Sequence, residues 1–467
     1  MEASGRRKLL SEDSVVDGSY TATFFSLNRT VLRTMLKDRR IASHTSFANC
    51  RGGLLFVWAA FTASLSAVTL EHTAIHRDPT MYYIAPSLTQ LPNGDIIVGV
   101  REAHVRPPGR RDHVDPTARG VTLRSRDSGR TFDEKVVVDD LTDQFSQTQS
   151  MLITPLRNGD LLATYFSWGI IPVPAGIALE KLHTGRNVLR NSNSQSPLKH
   201  FVPIAEGSWT ALSRDDGRTW TGRRPIDFPN VPPVLVQSPA VELPDGTLLV
   251  VGQDYSAGIG SAREWTRAHS ARSSDGGLTW KEHAVIAGED GMTFREPSLV
   301  RLKSGRLLSM LRTQGSAGPN EGYLYQCFSD DDGRNWSKPE RTPMWGWPAH
   351  VLELKDGRLL CSYGYRRAPL GVRATLSHDG GKTWDYANEM VIRDDGGAPD
   401  LGYPTSIQLA DGRVLLAYYI NHEKPTASKA EALATEGNTH PRLTIDFSGG
   451  DLTSGLRYIG GTFLTLD

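Results

Sequence analysis

The sequence repeats one hairpin signal six times between residues 91 and 412. Each copy reads leucine, two residues and glycine, and continues into an apolar run such as DIIVGV or RVLLAYY. Alternation of apolar and polar residues on both sides of a glycine turn is typical of a β-hairpin. The turn glycines are Gly94, Gly159, Gly246, Gly305, Gly357 and Gly412. The repeat therefore predicts six similar β units.

A second turn follows the hairpin in five of the six units and has the form S-x-D-x-G-x-T-W. The copies are SRDSGRTF at 125, SRDDGRTW at 213, SSDGGLTW at 273, SDDDGRNW at 329 and SHDGGKTW at 377. Aspartate can bond to backbone N–H groups ahead of it, glycine supplies a positive φ, and the aromatic residue packs against the sheet. Successive units lie roughly 50 to 90 residues apart, which suits propeller blades with insertions. We expect the segment 168–208 to be a surface loop.

Composition excludes several classes of protein. The 467 residues are 39% hydrophobic and 22% charged, which indicates a globular chain with a large core. Lysine plus arginine equals aspartate plus glutamate, 52 each, so charge gives no reason to expect nucleic acid as a partner. The cysteines Cys50, Cys327 and Cys361 have no metal-site spacing, and we expect reduced thiols, no metal and no cofactor.

The N-terminal residues differ from the repeats. Residues 1–69 are expected to form a partly disordered extension, and residues 70–467 the propeller. The stretch 52–70 carries no charge and is a candidate hydrophobic anchor; its second half is alternatively a strand. Contact with a membrane is expected only through this stretch. A cytoplasmic location is favoured, with secretion or anchoring through 52–70 as the alternatives.

Comparison of equivalent positions across the units points to a site. The position nine residues before each turn glycine is expected to face the position seven residues after it, at the open end of the hairpin. Glu296 would thus face Arg312, and Tyr403 would occupy the same column two units later. The column is not uniform: it holds Ala85, Ser150, Gln237, Glu296, Pro348 and Tyr403 before the turns, and Arg101, Phe166, Gln253, Arg312, Gly364 and Tyr419 after them. Such positions converge near the axis of a closed propeller.

The five second turns are Asp-boxes, and residues 70–467 resemble a sialidase-type (BNR-repeat) propeller. The resemblance implies an all-β fold, a six-bladed β-propeller of four-stranded blades closed by sequence before Tyr82 that joins the last blade. It also implies site residues. In the family a tyrosine attacks the anomeric carbon and a glutamate accepts its proton, and Tyr403 and Glu296 match these roles. Arg312 matches one arginine of the triad that binds the substrate carboxylate.

Other family roles fall on less well matched positions. The family acid/base is an aspartate on the loop after the first hairpin, where this chain offers Asp115 and Asp112; we favour Asp115, with His113 and Arg119 close by. The first triad arginine belongs to an R-I-P motif, but the matching stretch here is Ile84-Ala85-Pro86. We expect Arg312 to be joined in substrate binding by a further set: Arg101, Arg366, Arg373, His113, Arg119 and His350.

The resemblance implies an exo-acting glycoside hydrolase that cleaves a terminal acidic sugar, either sialic acid or a related sugar such as a uronic acid. Two alternatives remain open: a polysaccharide lyase acting on uronic-acid glycans, and a non-catalytic glycan-binding propeller. Structural roles also remain open for the site residues. Glu296 and Arg312 could be a cross-strand ion pair, Tyr403 an unreactive aromatic lining the channel, and Asp115 a loop cap.

Overall fold

The protein is described by a computed structural model over residues 68–104, 115, 117–144, 146–172, 201–254, 265–289, 291–313, 321–421 and 457–466. The described strands form six antiparallel sheets, which are the six blades of a β-propeller. The predicted N-terminal extension and most of the stretch 52–70 lie outside these residues. In the described part of the chain, no helix is long and apolar enough to cross a membrane.

The strands follow the chain order blade by blade. The first is β1 (Thr69–His76). Blade 1 then contains β2 (Met81–Gln90), β3 (Ile96–His104), β4 (Arg119–Ser125) and β5 (Asp133–Asp139). A short 3₁₀ helix (Thr142–Gln144) leads to blade 2, with β6 (Ser146–Pro155), β7 (Leu161–Pro172), β8 (Phe201–Ser213) and β9 (Arg224–Ile226). Blade 3 contains β10 (Val234–Val236), β11 (Val241–Glu242), β12 (Leu248–Asp254), β13 (Ala268–Ser273) and β14 (Lys281–Ala287).

Blade 4 contains β15 (Phe294–Arg301), β16 (Leu307–Thr313), β17 (Tyr323–Ser329) and β18 (Glu340–Trp345). Blade 5 contains β19 (Ala349–Glu353), β20 (Leu359–Tyr365), β21 (Gly371–Ser377) and β22 (Met390–Arg393), with a second 3₁₀ helix (Tyr386–Asn388) before β22. Blade 6 contains β23 (Gly402–Gln408), β24 (Val414–Ile420) and β25 (Tyr458–Thr465). Four-stranded blades are confirmed except in blade 3, where the first strand is split into β10 and β11, both paired with β12.

The N-terminal strand closes the ring, as predicted. β1 pairs antiparallel with β25 from Thr69 opposite Thr465 onward, and so becomes the fourth strand of blade 6. This closure also explains why the sequence has five Asp-boxes for six blades. Each box joins the third strand of a blade to the fourth, and in blade 6 those two strands come from opposite ends of the described chain.

The Asp-boxes have the hydrogen bonds expected from their residues. In the box at 273, the Ser273 hydroxyl bonds to Asp275 at 2.7 Å and accepts the Gly277 N–H at 2.9 Å. Asp275 Oδ1 accepts the backbone N–H of Thr279 at 2.9 Å. Trp280 then packs into the core with 3% of its surface exposed. These hydrogen bonds hold the turn between the third and fourth strands of the blade in one conformation, so the Asp-box has a structural role.

The hydrophobic core is distributed around the ring. Six clusters of buried apolar side chains each join two adjacent blades, so every interface between neighbouring blades has its own core. Cys327 and Cys361 are buried free thiols within two of these clusters. Because the apolar side chains pack between the faces of adjacent blades, polar side chains can occupy the ends of the inner strands near the axis.

Candidate active site

The first strands of four blades carry a bulge at one equivalent position. Ala85, Ser150, Glu296 and Tyr403 all have positive φ, between 47° and 56°, and the strand register shifts at each of them. These are the positions nine residues before the turn glycines. A non-glycine residue with positive φ is uncommon, and in a bulge the altered backbone re-aims the side chain.

The bulge corrects the predicted strand register by one residue. Arg312 pairs across the strands with Arg295, and Glu296 lies in the bulge instead of directly opposite Arg312. The side chains still meet, because the bulge turns Glu296 toward the axis. Its backbone N–H donates to Gln253 Oε1 of blade 3 at 2.8 Å, which supports the bulge from the neighbouring blade.

Tyr403, Glu296 and Arg312 form one hydrogen-bonded group. The Tyr403 hydroxyl donates a short hydrogen bond to Glu296 Oε1. Arg312 Nη1 donates to Glu296 Oε2 at 2.5 Å and to the Tyr403 hydroxyl at 3.2 Å. Glu296 is 9% exposed and Arg312 5%. Blades 4 and 6 thus bring together the three residues that the sequence placed in one column.

The electrostatics of this group keep the glutamate ionised and the tyrosine neutral. Burial alone would raise the pKa of Glu296, but the charge of Arg312 and the hydrogen bonds from Arg312 and Tyr403 outweigh it and hold the pKa below its ordinary value. Burial raises the pKa of the Tyr403 phenol well above its ordinary value, and the charge of Glu296 raises it further. The resting pair is therefore a phenol hydrogen-bonded to a carboxylate.

A second charged group adjoins Tyr403 and is centred on Asp400. Tyr419 stacks near Tyr403 with ring centroids 5.6 Å apart and donates its hydroxyl to Asp400 Oδ1 at 2.6 Å. Arg366 Nη2 donates to the Tyr419 hydroxyl at 3.2 Å and lies 3.6 Å from Asp400 Oδ1. Arg457 Nη2 lies 2.6 Å from Asp400 Oδ2.

Trp347 of blade 5 connects the two groups. Its ring lies 4.7 Å from the Arg312 guanidinium carbon and 5.7 Å from that of Arg366, both within the range of cation–π attraction. Both guanidinium groups that contact this ring also lie next to Tyr403: Arg312 donates to its hydroxyl, and the guanidinium carbon of Arg366 lies 5.9 Å from the centroid of its ring.

Asp115 lies in a third group, built by blades 1 and 2. It is 2% exposed; its Oδ1 accepts the Thr117 N–H at 2.9 Å, and its Oδ2 lies 3.5 Å from the Tyr82 hydroxyl that donates to it. Gln147 Oε1 accepts both the Asp115 N–H and, at 3.5 Å, Arg101 Nη2. The Tyr82 ring lies 5.1 Å from the Arg101 guanidinium carbon and 5.9 Å from that of Arg457, which joins this group to the one at Asp400.

Three residues assigned by sequence to substrate binding have their described partners elsewhere. Arg119 pairs with buried Glu102 at 2.8 Å. Arg373 donates to backbone carbonyls of its own blade, including Pro369 O at 3.2 Å. His350 bonds to a serine of the next blade, and burial lowers its pKa to about 4, so it is neutral at ordinary pH. His113 and Asp112 lie outside the described residues.

Residues that the sequence did not single out complete the site. Asp400 stands three residues before Tyr403, so its position next to the motif was a usable signal. Arg457 gave no such signal, because it directly precedes the last strand and lies outside the hairpin repeat. Among the described residues, no group of three or more histidine, cysteine, aspartate or glutamate side chains could hold a metal ion.

Comparison with known proteins places the chain in a family. Residues 178–416, just over half of the chain, match the BNR repeat-like domain. The chain belongs to this family. No curated protein matches it. The predicted resemblance to BNR-repeat propellers is thereby confirmed, and the family accounts for the repeated blades.

Solved structures share the fold. A protein of unknown function from Dyadobacter fermentans is similar with a TM-score of 0.66 and 26% identity, over 86% of this chain and 99% of that one. A Hadza microbial sialidase is similar with a TM-score of 0.50 and 19% identity, over 72% of this chain and 63% of the sialidase chain. A variant of the NanB sialidase from Streptococcus pneumoniae is similar with a TM-score of 0.51 and 14% identity, over 75% of this chain and 66% of the sialidase chain. The chain spans under two thirds of each sialidase, and at these identities the likeness to them concerns the fold.

Proposed function

We propose that the protein is an exo-acting glycoside hydrolase that cleaves a terminal acidic sugar from a glycan. The observation that carries the proposal is the group formed by Tyr403, Glu296 and Arg312. A buried tyrosine that donates to a carboxylate, with one guanidinium donating to both the carboxylate and the phenolic oxygen, is an activated nucleophile with its base in contact. A cross-strand ion pair alone would not require the tyrosine of a blade two positions away.

The first step would form a covalent bond between the sugar and Tyr403. The phenolic oxygen attacks the anomeric carbon while its proton passes to Glu296 Oε1, and Asp115 donates a proton to the departing glycosidic oxygen. In the second step water attacks the same carbon, Asp115 takes a proton from that water, and the phenol regains its proton from Glu296. Bonds and protons balance over the two steps.

A neutral nucleophile suits an acidic sugar. A carboxylate nucleophile would be repelled by the carboxylate of the substrate, whereas a phenol is not. The lowered pKa of Glu296 and the raised pKa of Tyr403 make proton transfer unfavourable in the empty site. Positive charge that develops at the anomeric carbon would stabilise the phenolate, so the transfer becomes favourable in the transition state and not before it.

The test is mass-resolved turnover of terminal sialosides and uronides by the full chain and by its Tyr403→Phe variant. Release of the free acidic sugar by the wild type, lost in the variant, is the expected result. A product lighter by one water would replace the hydrolase with a lyase. Binding of these glycosides without any turnover would replace it with a glycan-binding protein.

A further inference from the structure

Two arginines converge on one buried aspartate beside the proposed nucleophile. Arg457 Nη2 lies 2.6 Å from Asp400 Oδ2, and Arg366 Nη2 lies 3.6 Å from Asp400 Oδ1. The exposed fraction of the side chain is 8% for Asp400, 3% for Arg457 and 12% for Arg366. Tyr419 links the same atoms, since it donates to Asp400 and accepts from Arg366. One carboxylate thus holds two guanidinium groups in place before any substrate arrives.

The charge of this trio is not balanced. Two guanidinium groups face one carboxylate, and burial makes an uncompensated charge costly. In addition, Arg457 Nε is buried without a hydrogen-bond partner among the described residues. A buried donor left without an acceptor next to surplus positive charge is what an anionic ligand would satisfy.

Arg457 also lies beside the position where the expected arginine is missing. Its carbonyl accepts the Tyr83 N–H at 3.3 Å, which places its backbone next to the Ile84-Ala85-Pro86 stretch. Its guanidinium carbon lies 5.9 Å from the centroid of the Tyr82 ring, and the guanidinium carbon of Arg101 lies 5.1 Å from the same centroid. The residue that precedes β25 therefore brings a guanidinium next to Tyr82 and Tyr83, which directly precede Ile84 in β2.

The wider site has a surplus of positive charge. Among the described residues it contains four arginines (Arg101, Arg312, Arg366 and Arg457) and three acidic side chains (Asp115, Glu296 and Asp400). Glu296 offsets Arg312 and Asp400 offsets one of its two arginines, while Asp115 is protonated when it acts as the acid of the proposed first step. The surplus favours a substrate that carries a carboxylate.

We propose that Arg457, held by Asp400 beside Arg366, binds the carboxylate of the substrate and supplies the guanidinium that the Ile84 position lacks. The inference rests on the proposed function, because it assumes an acidic sugar. Asp400 is a positioning residue in this arrangement: it orients both arginines, so that little side-chain freedom is lost when the ligand binds.

The experiment compares Arg457→Gln with a matched control, Arg393→Gln. Arg393 is also a buried arginine, 8% exposed, paired with an aspartate (Asp395, 2.5 Å) and stacked over a tyrosine (Tyr418, 5.8 Å), but it lies outside the site. The probes are N-acetylneuraminic acid, glucuronic acid and the methyl ester of each, titrated by calorimetry into the full chain. Thermal unfolding of each variant shows that it is folded.

The wild type is expected to bind one of the acids more tightly than its ester. Arg457→Gln should weaken binding of that acid by about 10- to 100-fold, the value of a hydrogen bond to a charged group, and leave the ester nearly unchanged. Arg393→Gln should change neither. With a substrate that turns over, KM should rise in Arg457→Gln far more than kcat falls. Arg457→Lys keeps the charge but loses the planar guanidinium, so its affinity for the acid should fall by an intermediate factor. This variant replaces Arg457→Gln in the comparison if the glutamine variant does not fold.

Two results would overturn the inference, and they are distinguishable. An unchanged ratio of acid to ester affinity in Arg457→Gln would mean that Arg457 only pairs with Asp400, while the proposed hydrolase would stand. A wild type that prefers neither acid over its ester would remove the acidic substrate itself, and the role of Arg457 with it.

Discussion

Replacing Tyr403 by phenylalanine removes one oxygen atom from the site and keeps the ring. The hydroxyl makes two hydrogen bonds to charged partners, the carboxylate of Glu296 and Arg312 at 3.2 Å. Hydrogen bonds to charged groups contribute about 1.5–3 kcal/mol each, but Glu296 keeps its bond to Arg312, so we expect a loss of about 2–3 kcal/mol of stability. For a chain of this size that corresponds to a fall of a few degrees in Tm.

Tyr418→Phe is the matched control for this substitution. The Tyr418 hydroxyl is also hydrogen-bonded several times: it bonds with the Thr462 hydroxyl at 2.7 Å, donates to Gly461 O at 3.4 Å and accepts from Arg393 at 3.1 Å, and the residue is fully buried. Its side chain belongs to the core between blades 5 and 6 and not to the site. The two variants should therefore lose similar stability, which scanning calorimetry of both would show.

Activity should separate the two variants. Tyr403→Phe should lower kcat on the best substrate of the panel by at least about a thousandfold, or ~4 kcal/mol of transition-state stabilisation, because the nucleophile is gone. Tyr418→Phe should keep kcat within about twofold of the wild type, since its hydroxyl contributes only to folding stability. Tyr403→Phe with wild-type kcat would refute the assignment of the nucleophile, whatever its Tm.

Other parts of the structure give further expectations. The pKa of Glu296 lies below its ordinary value of 4.5, so the stability from its ion pair is complete above that pH and is lost as the pH falls through the lowered pKa. When the pH is lowered from about 6 to about 3, the Tm of Glu296→Gln should therefore fall less than the Tm of the wild type. Ser273→Ala removes two hydrogen bonds of an Asp-box and should cost about 1–2 kcal/mol in denaturant unfolding with KM unchanged. Gly402 has φ of 110° and a Cβ there would lie 2.6 Å from Gly364 Cα. Gly402→Ala should cost about 2–4 kcal/mol and also lower kcat, because the next residue is the proposed nucleophile; unchanged kcat would contradict that coupling.

The fold was predictable because its signals are local and repeated. A glycine turn between alternating strands determines a hairpin without distant contacts, and the glycines of all six turns have φ between 89° and 94°. The five Asp-boxes mark the ends of third strands in the same way. The split first strand of blade 3 was not predictable, because no turn motif in the sequence marks the interruption at 237–240 between β10 and β11.

The site was predictable only in part. Equivalent positions in a repeat share a place in the ring, which was enough to associate Tyr403, Glu296 and Arg312. Their register was wrong by one residue, because alanine, serine, glutamate and tyrosine at the bulges carry no sign of positive φ. Arg457 was missed altogether, since it comes close to Asp400 only because β25 pairs with β24 within blade 6, and it stands in no repeated pattern.

The four bulges have the same backbone conformation but carry side chains of different chemistry. One backbone shape presents a methyl group at Ala85, a hydroxyl at Ser150, a carboxylate at Glu296 and a phenol at Tyr403, with φ differing by less than ten degrees. A point substitution at any of them changes the chemistry at the axis without requiring a new backbone. The side chain that a blade presents at this position can therefore change by one substitution, while the apolar cores between blades stay the same.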